Sequence, residues 1–180
     1  MDAIYTFDKL KDVLLLFLIP IGGGIPAGVL LAQKYQFMWP VMILLYFISD
    51  LILACAFEPL LILFLKLAKK IPRLAKMSEI IKQAFKKTTS MYGNSTGVFA
   101  LIAIAFGVDP MTGRTVAVAA GHGFVTGWMI AIAGDMLYFS LLMVSTLWLN
   151  SLLGDGTWTM LIILALMMIV PSLIKKIRQK

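Results

Sequence analysis

The sequence predicts an all-α polytopic membrane protein built as an inverted repeat, with two re-entrant helical hairpins and about three full transmembrane helices. Three observations carry this: an apolar excess spread over the whole length, apolar runs of two distinct lengths, and basic residues confined to two segments. Of 180 residues, 61% are hydrophobic and 14% charged, against roughly 25% charged in soluble domains. The mean hydropathy is +0.94, too high for a chain that must cover itself with polar surface, so a soluble globule is excluded. The single cysteine, Cys55, excludes an intrachain disulfide and a cysteine-based metal site. No cofactor and no metal are expected.

The elements follow in chain order as one membrane domain, 1–180. The run 13–21 meets Gly22-Gly23-Gly24-Ile25-Pro26-Ala27-Gly28 and then the short run 29–33. Neither arm exceeds about half the hydrocarbon thickness, so 12–34 reads as a hairpin broken within the membrane. Asp2, Asp8 and Asp12 precede the first arm together with Lys9 and Lys11, a pattern unlike a cleaved signal peptide. Residues 40–65 form a full span of about 38 Å as helix. The loop 66–90 follows, with eight of the sixteen basic residues and one acid, Glu79. Its apolar positions Ile71, Leu74, Met77, Ile80, Ile81 and Phe85 fit a helix lying on a leaflet. The second hairpin, 97–121, breaks at Gly107-Val108-Asp109-Pro110-Met111-Thr112-Gly113-Arg114, and a second long span covers 125–149. A final span, 157–174, precedes the basic tail Lys175, Lys176, Arg178 and Lys180.

Lys and Arg in short loops flanking spans mark the cytoplasmic side. With 66–90 and the tail both cytoplasmic, the chain crosses an even number of times between them. The two spans 125–149 and 157–174 supply those crossings, so the second hairpin enters from inside and the first from outside. The expected location is the plasma (inner) membrane, multi-pass, with a cytoplasmic C-terminus. The net charge of +7 then reads as topology and contact with anionic lipids at the cytoplasmic face, with no nucleic-acid partner.

At an offset of 85 residues Gly22 matches Gly107, Gly28 matches Gly113, Ala32 matches Ala117 and Asp50 matches Asp135. The matches fall on hairpin glycines and intramembrane acids, which defines repeat halves 12–65 and 97–150 of opposite orientation. Asp50 and Asp135 lie near mid-bilayer. Glu58 follows Asp50 by eight residues, roughly 80° round the helix, so both carboxylates can face one cavity. Charges at this depth cost at least about 2.5 kcal/mol and mark function by default. Asp50, Asp135, Glu58 and Asp109 are the candidate proton- or ion-coupling residues. Asp50 and Asp135 are alternatively architectural, accepting hydrogen bonds from hairpin amides. Arg114 is either an anion-binding residue or a counter-ion for Asp109 or Asp135. With Gly22, Gly23, Gly24 and Gly113 it forms the candidate substrate-binding set. His122 is interfacial or a proton relay. The twelve methionines show no ligand spacing and read as packing. Trp39, Trp128, Trp148 and Trp158 read as an aromatic belt.

The segment Ala105-Phe106-Gly107-Val108-Asp109-Pro110-Met111-Thr112-Gly113-Arg114-Thr115, followed by Ala119-Ala120-Gly121, resembles the Pro-Gly-x-Arg-Thr then Ala-Gly signature of the DedA (VTT-domain) membrane proteins. With Ile19-Pro20 and Gly24-Ile25-Pro26-Ala27-Gly28 in the first hairpin, the chain is also similar to the small multidrug export family. Here Met111 and Thr112 separate the motif's proline and glycine, and the first hairpin lacks an acid near its prolines. The resemblance implies inverted re-entrant hairpins, proton-linked transport of lipid carriers or other amphiphiles, and Arg114 as the motif arginine. The expected function is proton-coupled transport of a small amphiphilic or anionic substrate, by a homodimer because three spans hardly seal a path. A passive channel and a non-transporting membrane assembly protein are the alternatives. No nucleophile–base pairing stands out, so an enzyme is not expected.

Overall fold

The computed structural model describes residues 2–19, 23–68, 70, 102 and 110–178. Among them regular structure is entirely helical: α1 (Asp2–Phe17), α2 (Gly24–Lys34), α3 (Trp39–Ala68), α4 (Pro110–Ala119), α5 (Phe124–Leu153) and α6 (Gly156–Arg178). Residues 71–90 of the amphipathic linker, the first arm of the second hairpin apart from Ile102, and its turn as far as Asp109 lie outside the described residues. Within α3 the stretch Trp39–Phe64, and α5 throughout, are long and apolar enough to cross a membrane. The predicted third span falls in α6, whose apolar part is Gly156–Met167.

Boundaries recur at the offset found in the sequence. Trp39 and Phe124 begin α3 and α5, Ala68 and Leu153 end them, and each pair is 85 residues apart. The preceding short helices end alike. After α2, the Gln36 amide donates to the Gln33 carbonyl and the Phe37 amide to Ala32; after α4, Gly121 donates to Val118 and His122 to Ala117. Gln36 and Gly121 both take positive φ, 62° and 87°. These are two Schellman stops in register with one another.

The chain divides into two compact units. One holds residues 1–49 and 139–180. In it α1 is longer than the apolar run 13–21 predicts, because the helix formers Lys9, Leu10 and Lys11 carry it through the charged N-terminal stretch. The glycines 24 and 28 also fall inside α2 and not in a long break. Pro26 is the third residue of α2, where a missing N–H costs no helical bond. Gly24 and Gly28 instead create a close helix contact. A Cβ on Gly24 would sit 2.6 Å from the Ile19 carbonyl oxygen, and one on Gly28 would enter the Phe17 ring. Phe17 in turn stands edge-on to Tyr46 and Phe139, which stack with centroids 4.0 Å apart. Val13, Val29 and Ala32 of the same unit are fully buried.

The other unit holds residues 50–138. Here the second part of α3 packs against the first part of α5 through Ala54, Trp128, Ala131 and Ile132, with Phe57 and Met136 beside them. Asp50 meets Asp135 at one end and Glu58 meets Trp128 at the other. Rising numbers on α3 therefore meet falling numbers on α5, and the two helices run antiparallel.

Candidate functional site

The second unit concentrates the buried ionisable residues. Asp50 and Asp135 each lie eleven residues after the start of their helix, about 16 Å along it, and are 1% and 2% exposed. Their carboxyl groups meet across the two helices, and Oδ2 of Asp50 has no hydrogen-bond partner. A carboxylate only accepts, so a bond between two carboxyl groups needs a proton on one of them. The geometry can hold one proton between two helices, away from water.

Roughly two turns further along α3 lies a second polar group. Glu58 is buried and takes Arg114 as a two-pronged partner: Nε donates to Oε2 at 3.0 Å and Nη2 to Oε1 at 2.8 Å. The Trp128 indole N–H donates to Oε2 at 2.8 Å. Arg114 Nη1 points to the carbonyl of Gly123 at 3.4 Å. Planar fork meets planar carboxylate, the geometry in which an arginine and a carboxylate interact best when desolvated. Gly127 makes room for it, since a Cβ there would enter the guanidinium.

Several expectations change. Glu58, expected as a proton- or ion-coupling residue, is buried against Arg114 and Trp128, which take up both of its carboxylate oxygens. The counter-ion of Arg114 is Glu58 and not Asp135. Arg114 is the fifth residue of the helix Pro110–Ala119, beyond the first turn whose free amides could serve an anion. Trp128 leaves the expected aromatic belt for the interior, whereas Trp39, Trp148 and Trp158 are exposed. A side-chain N–H inside an apolar run is the signal that Trp128 offers, because a buried indole seeks an acceptor.

The remaining predicted residues are dispersed. Gly113 is buried in α4. Gly23 and Gly24 lie in the other unit, where Gly23 packs under Met160 and Leu164, and Gly22 lies outside the described residues. His122 is half-buried just after α4. Among the described residues there is no group of three or more His, Cys, Asp or Glu able to hold a metal.

Among the described residues these elements define a helical arrangement with two helices of bilayer length, an acid pair between those two and an ion pair from α3 to α4. No family model matches the chain, and no curated protein or solved structure matches it either.

Proposed function

We propose that the chain is a proton-coupled transporter of a small amphiphilic or anionic substrate, resident in the plasma membrane with its C-terminus in the cytoplasm. The observation that carries this reading is the Asp50–Asp135 contact. The two residues are equivalent at the 85-residue offset, and they touch across antiparallel helices. A pseudo-two-fold axis between them that reverses a spanning helix lies in the plane of the bilayer, the arrangement of inverted-repeat transporters with midplane sites. Exposure supports a lipid surround: only 33% of the most apolar stretch of α3 is buried, an apolar surface that water would not tolerate on this scale.

In this reading the α1–α2 hairpin and the one ending in α4 are re-entrant from opposite sides, as the resemblance to DedA and small multidrug export proteins implies. Loading and release of the shared proton tracks alternating access. Arg114 is closed by Glu58 in the conformation described, so an anionic substrate reaches its fork by displacing that carboxylate. A homodimer supplies the seal that three spans lack.

The test is uptake into proteoliposomes under an imposed pH gradient, with the interior read by a trapped pH dye while candidate amphiphiles are added. Wild type couples uptake to proton movement, and Asp50→Asn and Asp135→Asn each abolish the coupling while still inserting and folding. If both variants carry wild-type coupled flux from about pH 5 to 8, the acids are architectural. A flux that never saturates identifies a channel.

A further inference from the structure

The first unit contains an open cavity of about 600 Å3 that the acid and ion pairs do not touch. It lies where α2 ends and α5 turns into α6. Its walls include Leu30, Leu31 and Met160, and its polar side chains are Gln33, Lys34, Asn150 and Thr157. The polar part is an ordered chain. Thr159 Oγ1, fully buried, lies 3.2 Å from Asn150 Oδ1 and 2.8 Å from the Asp155 carbonyl, and Asn150 Nδ2 donates to Gln33 Oε1 at 2.8 Å. The single Thr159 hydroxyl proton is shared between two acceptors, the nearer being the Asp155 carbonyl, while the Gln33 side-chain N–H groups and the second N–H of Asn150 remain as donor capacity at the cavity. Lys34 adds a cation that is exposed and has no ion-pair partner among the described residues. Asp155, the nearest acid in sequence, is committed to the Thr157 and Trp158 amides that open α6. The lining thus combines spare donors and one positive charge with an apolar wall, the complement of an anion carried on a hydrocarbon chain.

Depth indicates the source of that anion. Trp148 and Trp158 flank the turn between α5 and α6, Trp39 begins α3 just after α2 ends, and all three are more than half exposed. Exposed tryptophans gathered at helix ends mark the headgroup level of a bilayer. We propose that this cavity is a binding site for the phosphodiester headgroup of a membrane phospholipid, with Lys34 and the Gln33–Asn150 amides on the phosphate and Leu30, Leu31 and Met160 against the first acyl carbons. The site rests on the reading that α3 and α5 span a membrane, and it is independent of proton coupling.

Native mass spectrometry of the detergent-solubilised full chain tests it, with phosphatidylglycerol, diacylglycerol of the same acyl chains and inorganic phosphate as probes. One phosphatidylglycerol is retained per chain, and diacylglycerol is not. Lys34→Gln weakens retention about fivefold, equivalent to about 1 kcal/mol. Leu30→Trp, which fills the cavity, abolishes retention, and Asp50→Asn leaves it intact. Equal retention of diacylglycerol, or wild-type retention by both Lys34→Gln and Leu30→Trp, overturns the site. Displacement of the lipid by inorganic phosphate overturns the lipid assignment in favour of a small-anion site. Resistance of the chain to alkaline carbonate extraction tests the spanning reading separately.

Discussion

The two units solve the same packing problem with opposite chemistry. At the 85-residue offset Arg114 corresponds to Val29, Glu58 to Met143 and Trp128 to Ile43. In the first unit Val29 and Met143 are buried and the aromatic group Phe17, Tyr46 and Phe139 fills the centre with no ionised group. In the second, the same positions hold a desolvated ion pair and an indole that completes its hydrogen bonding. A purely apolar filling is therefore sufficient to close such a hairpin. The charged version costs desolvation that its attraction only partly offsets, and its presence is the strongest sign that the second unit does more than hold shape.

Transplanting the apolar residues gives the sharpest way to break this comparison. Arg114→Val alone strands Glu58 as an unpaired buried charge and should destabilise the protein by about 3–5 kcal/mol. The double variant Arg114→Val with Glu58→Met should recover most of that loss in thermal unfolding in detergent, while transport is lost. A single variant as stable as the double one would show that the pair is uncoupled.

The next effect concerns fit. Gly127→Ala forces a methyl group into the Arg114 guanidinium, and Gly28→Ala forces one into the Phe17 ring. Each should cost about 1–3 kcal/mol. Only Gly127→Ala should also change transport, because only it disturbs the ion pair. Equal transport defects would erase the distinction between the units.

The smallest effect lies at the two helix stops. Gly121→Ala meets no neighbouring atom, so its cost is backbone strain alone, about 1 kcal/mol. Gln36→Gly removes the corresponding strain and should stabilise by a similar amount. If both substitutions destabilise, Gln36 is held by contacts that its side chain makes.

The sequence reading reached these features unevenly, for physical reasons. Spans and acid pair were accessible because apolar length and depth along a helix are local properties, and an offset search then related Asp50 to Asp135. The Glu58–Arg114 pair was not, since 56 residues separate the partners and Asp109 and Asp135 lie nearer to Arg114 in sequence. The glycines of α2 misled because a turn and a close helix contact use the same residue. Only the position of the Phe17 ring distinguishes them. Trp128 misled because its place near a span end is also where interfacial tryptophans occur.

Pro59 lies inside α3, one residue after Glu58. Lacking an N–H, it leaves the Cys55 carbonyl without its intrahelical donor, a defect that costs about 3 kcal/mol in an ordinary helix interior. Hydrogen–deuterium exchange in α3 should consequently be fastest around this turn, since local opening there breaks one bond fewer. Glu58 belongs to the same turn and is clasped by Arg114 and Trp128 from two other helices. The ion pair therefore acts as a mechanical brace across the weakest point of a long rod, and releasing it would free the far end of α3 to swing.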